Sequence, residues 1–291
     1  MRRLLPMADA VGLMRVAFQE LQTGEAVNHP RRRIGLPSGS TLHYMAAGDA
    51  RYFGTKVYST HPKYGANFWF LLFRTADAKP LAIFEANALG QIRTGAASGY
   101  ATDLMARHDV DDVAVIGSGF QARTQVEAVL AVRSPRRVRV WSRSEERRKA
   151  FARECRDMFG IEVLATATAE ESVRAAGIVI TATNAKDPVV EDAWIGPGTH
   201  INAMGSNQAT RRELPSELVR RCNPIAVDSI DTARMESGDL LMGLGESDWC
   251  RVIELKEAPK RTDQECISLF KSHGLAIEDV AAAGFVYERL S

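Results

Sequence analysis

The sequence predicts an α/β protein: a doubly wound, mostly parallel sheet joined to a smaller α/β domain. Three observations carry that expectation. After residue 110, short apolar runs alternate with helical stretches across short links. "VAVIGSGFQA" sets a glycine turn between one such strand and the next helix. Before residue 86 the rhythm differs, with aromatic and β-branched runs separated by Pro, Gly, Asp and Asn.

Taken in order, residues 8–22 place Val11, Met14, Ala17, Phe18 and Leu21 at helical spacing, with Gly24 as the stop. "STLHYMAAG", "YFGTKVYST", "NFWFLLFRT" and "KPLAIFEA" read as strands. Residues 86–107 are rich in small residues and read as one or two closely packed helices. Strands follow at "DDVAVIGSG", "RRVRVWSR", "IEVLAT", "IVITAT", "THINAMG" and "NPIAVDS". Helices are expected at "QARTQVEAVLAVR", at "SEERRKAFARECRDMFG" with acids in its first turn and Gly160 at its end, and at "TAEESVRAAG" behind a capping box of Thr168 and Glu171. "SHGLAIEDVAAAGFVYERL" closes the chain as a helix. The expected division is 1–103 with 272–291 for substrate binding and dimerisation, and 104–271 for a dinucleotide.

With 291 residues the chain accommodates two domains. A net charge of +1 argues against a polyanionic partner, and no apolar run approaches the ~20 residues of a membrane span. Asp9 and Arg15 interrupt the apolar N-terminus, so no signal peptide is expected. Cys155, Cys222, Cys250 and Cys266 lack CxxC spacing and read as reduced thiols of a cytosolic protein. His43, His61 and His200 lack metal-ligand spacing, so no metal is expected, and no nucleophile-elbow motif supports hydrolysis.

Gly117, Gly119 and Ala122 form G-x-G-x-x-A in the right context. The first glycine permits the tight turn, the second opens the backbone to a pyrophosphate, and Ala122 allows close helix–strand packing. Ser118, Phe120 and Gln121 complete this expected cofactor loop. The second strand ends in Ser142, Arg143 and Ser144, with Arg147 nearby, where an NAD site usually offers an acid to the ribose 2′-hydroxyl. Guanidinium suits a 2′-phosphate, so NADP(H) is expected over NAD(H). Thr181, Ala182, Thr183 and Asn184, and Met204 with Gly205, end later strands at the edge where ligands bind.

The stretches "IRTGAASGYATDLMAR", "VAVIGSGFQARTQVEAV", "ITATNAKDPVV", "INAMGSN", "VDSIDTARMESGD" and "GLAIEDVAAAGFVYERL" resemble the ornithine cyclodeaminase and mu-crystallin family over nearly the whole chain. Relatives begin some residues ahead of the helix at Ala8. The resemblance implies a Rossmann domain for NAD(P), an N-terminal α/β domain that forms a homodimer, and hydride exchange between a nicotinamide and the α-carbon of an amino acid or its imine. Arg93 looks like the family's substrate-carboxylate arginine and Lys56 like its active-site lysine. Arg32 best matches its first-domain arginine, although three consecutive arginines leave the register open by one. Phe68, Trp69 and Phe70 read as dimer-sheet core.

Two positions after Gly205, cyclodeaminating relatives, and some dehydrogenating ones, carry an aspartate; this chain has Asn207, preceded by Ser206. An amide takes up no proton at neutral pH. The expectation is therefore NADPH-dependent reduction of an α-imino acid, or the reverse dehydrogenation, with Lys56, Arg93 and Asn207 at the chemistry and Arg32 and Ser206 on the substrate. Ornithine cyclodeamination through another base, and non-catalytic NADPH binding as in the crystallin relatives, are the alternatives.

Overall fold

The computed structural model describes residues 1–290. The chain divides into two compact units, Met1–Ala97 with the tail from Gly274, and Ser98–His273. The first boundary falls inside the helix Asn87–Met105, six residues before the position expected from the sequence, and the second at the glycine after His273.

In the first unit an antiparallel sheet runs in the order Val27–Asn28, Thr41–Gly48, Tyr52–His61, Gly65–Arg74, Pro80–Glu85, with Arg32–Gly35 also paired to Thr41–Gly48. Alternation decides the faces. Met45, Lys56, Phe70 and Phe84 are in register and buried; His43 and its partner Tyr58 are buried too, and so is Leu72. The intervening residues Leu42, Tyr44, Trp69 and Ile83 point the other way and are exposed. Of the aromatic trio, Phe70 thus belongs to the core and Trp69 to the open face. The terminal helix Ala276–Glu288 packs on the buried face beside the first helix Met7–Thr23, which Gly24 ends in a left-handed turn at φ 79°. Gly284 lets that helix approach Tyr52: a Cβ there would lie 2.6 Å from the ring.

The second unit is an eight-stranded parallel sheet in the order Val252–Glu254, Ile225–Val227, Ser268–Lys271, His200–Ala203, Ile178–Thr181, Asp112–Ile116, Arg137–Trp141, Glu162–Ala165. Six strands match the expectation; Val252–Glu254 and Ser268–Lys271 are additional. The strand order reverses beside Asp112–Ile116, whose successors run outward on one side and then return to the other. Ligands of such sheets bind at the carboxyl ends beside that reversal. The helices Phe120–Val132 and Glu145–Phe159 help cover the sheet, the second capped by Ser144 and ended by Gly160 at φ 66°. Thr168 caps its short helix as the motif predicts, accepting from Glu171 N–H at 3.1 Å.

Ser268–Lys271 is polar at both ends yet fully enclosed. Ser268 Oγ lies 2.9 Å from His200 Nδ1 and donates to the Met105 carbonyl at 3.0 Å. His200, held also by Asn202, is pushed down to about 3 by burial and is neutral, so it is a core histidine. Among the described residues no helix is long and apolar enough to cross a membrane, and no His, Cys, Asp and Glu cluster is arranged for a metal. All four cysteines are free. Replacing His200 by Leu removes the partner of the buried Asn202 side-chain oxygen. We expect a loss of about 1–3 kcal/mol of stability, read by urea unfolding.

Candidate functional site

The dinucleotide frame lies in the second unit. Gly117 sits at φ 115°, and a Cβ there would collide with the Ala182 carbonyl oxygen. No other residue type fits that turn. Gly119 caps the following helix in extended conformation, and the space over its α-carbon is open. The first amides of Phe120–Val132 therefore face an approachable edge, as phosphate binding requires. Ala122 is fully buried against the sheet.

The second strand's end is built from hydroxyls. Ser118 Oγ donates to Ser142 Oγ at 2.9 Å, and Ser142 Oγ to the Ser144 carbonyl at 3.2 Å. Arg148, which no sequence motif marks, donates to the Ser142 carbonyl at 3.1 Å. Arg143 and Arg147 are exposed, and positions 142–144 carry no carboxylate. These residues fit a nicotinamide dinucleotide: Gly117, Gly119 and the helix start for its pyrophosphate, and Ser142 to Arg147 for its adenosine ribose.

Thr181 departs from the expectation. It is fully buried, and its hydroxyl donates to Glu213 at 2.9 Å, so it supports the frame rather than touching a ligand. The same carboxylate accepts from Thr183 N–H and Oγ–H and from Gly205 N–H, each at 2.7 Å. One buried glutamate therefore joins the tips of two neighbouring strands, and burial raises its pKa. Asn184 offers its carbonyl to Arg211 at 2.8 Å. Met204, Gly205 and Asn207 are half-buried along this edge, and Ser206 is buried.

The cationic cluster lies in the first unit. Lys56 points inward from its strand, 3% exposed, with Nζ 2.8 Å from Asp279 Oδ1. Arg93 donates to Glu278 at 2.7 Å and to the same Asp279 oxygen at 3.3 Å. The arginine that accompanies them is Arg31, not Arg32. Arg32 pairs with Tyr44 and shares its exposed face, whereas Arg31 is buried and donates to the Gly274 carbonyl at 3.3 Å. Burial, reinforced by Arg93 and Arg31 against the pull of Asp279, holds the Lys56 pKa down to about 8. Two glycines make the room: a Cβ on Gly90 would lie 2.9 Å from Lys56 Nζ, and one on Gly274 would strike the Arg93 guanidinium. His43 is occupied by Thr60 at 2.9 Å and stacks on Tyr58, and the His61 ring lies tilted against Tyr64.

No local signal in the sequence marks Glu278 and Asp279. "LAIEDV" reads as the start of an amphipathic helix, and acids in a first turn have an ordinary explanation in the helix dipole. Only their burial shows them to be counter-ions. Three cations, Arg31, Lys56 and Arg93, are thus buried together with the carboxylates of Glu278 and Asp279.

A family model described as ornithine cyclodeaminase/mu-crystallin matches residues 1–291. The chain belongs to that family. It is 32% identical over 306 aligned positions to a Delta(1)-pyrroline-2-carboxylate reductase of Bacillus cereus, covering 99% of this chain and 94% of the relative. It is 34% identical over 221 positions to the ketimine reductase mu-crystallin of Mus musculus, covering 76% and 69%. Its fold matches the Thermococcus litoralis Delta(1)-pyrroline-2-carboxylate reductase, solved in complex with NADH and L-proline, with a TM-score of 0.94, 35% identity, and coverage of 99% and 94%.

Two substitutions test the frame and the cluster. Gly117→Ala drives a methyl into the Ala182 carbonyl; we expect dinucleotide affinity to fall at least tenfold by fluorescence titration. Gly274→Ala places a side chain at φ 82° and displaces Arg93. We expect a stability loss of at least about 1–2 kcal/mol by urea unfolding, together with a raised KM for the imino acid.

Proposed function

We propose that this family member reduces a cyclic α-imino acid of the Δ1-pyrroline-2-carboxylate type to the corresponding amino acid, using a nicotinamide cofactor, with NADPH preferred over NADH. The observation that carries the reading is the gathering of Arg31, Lys56 and Arg93, three buried cations, around Glu278 and Asp279. Charge of this sign in a buried site suits a substrate carboxylate. Planar guanidinium groups hold carboxylate in a fixed orientation, which positions the adjoining C=N carbon. Bound cofactor supplies hydride to that carbon. Lys56 holds, through its Nζ, the proton that the imine nitrogen carries in the amine product. Asn207 offers an amide and no base. That favours hydride addition to an imine over loss of ammonia from ornithine, which needs a proton acceptor.

Preference for NADPH is supported by the missing acid at residues 142–144 and by the exposed Arg143 and Arg147. A homodimer through the first unit's sheet is supported by the exposed apolar face of Ile34, Leu42, Tyr44, Trp69 and Ile83, a patch of the kind that marks an interface. A cytoplasmic setting is supported by the four free thiols.

The deciding experiment is a panel of cyclic and open 2-imino acids, followed by oxidation of NADPH and NADH. We expect cyclic ketimines to be reduced, NADPH to be favoured, and no ammonia to be released from ornithine. Ammonia with proline as products from ornithine overturns the Asn207 argument. Arg143→Asp should lower the NADPH-to-NADH ratio of kcat/KM by about tenfold or more; an unchanged ratio removes its role.

Lys56 gives a pH test. Its ammonium form is lost as pH rises through about 8, so kcat/KM for reduction should decline above that value. A profile flat from pH 7 to 9.5 sinks the proton assignment. The sign for stability is opposite. Between about 8 and lysine's ordinary 10.5, the unfolded chain binds a proton that the folded chain has released, so this group's contribution to stability rises with pH.

A further inference from the structure

We propose that Lys271 is a positioning residue for this reaction: held by Asp239, its ammonium pins the Ser206 carbonyl and thereby the turn that carries Asn207. Lys271 ends the central strand Ser268–Lys271, between Ala203 and Val227, and is fully buried. Its Nζ donates to the Ser206 carbonyl at 2.7 Å and pairs with Asp239 at 3.0 Å, that carboxylate also being fully buried.

Asp239 does more than balance the charge. Its other oxygen accepts from the backbone N–H of Glu213 at 2.6 Å and of Leu214 at 2.9 Å. Glu213 in turn accepts from Gly205 N–H at 2.7 Å. Two successive residues beyond the strand His200–Ala203 are therefore held by side chains of opposite sign, Gly205 through its N–H and Ser206 through its C=O. Asp239 ties the two holders together. Backbone in a turn has no ladder partner and must find one elsewhere when buried.

A buried ion pair is a weak stabilising device, because apolar residues of similar volume often do as well. Here the pair acts where irregular backbone needs a fixed donor. A shift of the Ser206 carbonyl moves the Asn207 amide with it, and small displacements at a reacting site reduce rate far more than binding.

The inference rests on the proposed function and assigns these strand tips to the nicotinamide end of the cofactor. If native protein binds neither NADPH nor NADH in fluorescence titration, that reading fails while the exchange result below still stands. The test uses Lys271→Met/Asp239→Asn, which removes both charges and keeps a side-chain oxygen for the Glu213 and Leu214 amides. We expect hydrogen exchange at residues 205–208 to accelerate at least tenfold while the core strands Asp112–Ile116 and Ile178–Thr181 keep their protection. NADPH affinity should stay within threefold, and kcat on Δ1-pyrroline-2-carboxylate should fall at least tenfold. Asp239→Asn alone, the milder change, should accelerate the same amides in the same place. Unchanged exchange at 205–208 in both variants overturns the proposal, and so does loss of protection spread evenly over residues 98–273.

Discussion

Asp279 accepts from Lys56 and Arg93 through one oxygen, in a place that water scarcely reaches. Much of the first unit follows from that contact. Lys56 can face inward from a strand of apolar neighbours only if an anion meets it, because an unpaired buried ammonium is prohibitively costly. The terminal helix supplies the anion from its first turn, beside Glu278, and Gly90 and Gly274 keep the surrounding space open. The sheet's buried face, the terminal helix and Arg93 thus converge on a single electrostatic requirement. Arg31 adds a third buried cation to the cluster, donating to the Gly274 carbonyl.

The second unit meets the corresponding problem with acceptors. Glu213 collects donors from Thr181, Thr183 and Gly205, and an ionised carboxylate can accept from all of them at once. The strand tips beside the glycine turn are thereby rigid, as a reaction centre requires. The glycine turn itself is fixed sterically: Gly117 has the carbonyl of Ala182 where a side chain would stand.

Much of this was legible in the chain's pattern. "VAVIGSG" announces its turn because an apolar strand, two glycines and a helix are local signals, and the alternating runs of residues 41–85 announce a sheet for the same reason. Lys56 and Arg93 were visible as charges among apolar or small neighbours. Arg31 was not separable from Arg32, because three arginines in a row share one local signal and only the pairing of Arg32 with Tyr44 selects a face. Ser268–Lys271 was not legible: four residues with polar ends give no alternation, and their burial is allowed by His200, Met105, Asp239 and Ser206, all distant in sequence. Thr181 read as a ligand contact because a threonine at a strand tip looks the same whether it turns outward or donates to a glutamate 32 residues away.

The sequence by itself determined the fold class, the dinucleotide turn, the missing acid at residues 142–144 and the amide at 207. These depend on residue type and near-neighbour spacing, which the backbone reads locally. Tertiary structure alone decided which arginine enters the cluster, that Glu278 and Asp279 are counter-ions, and that Glu213, Asp239 and Lys271 hold the strand tips. Those roles depend on burial and on partners far along the chain, since a charge acquires its meaning only when its surroundings lose their water.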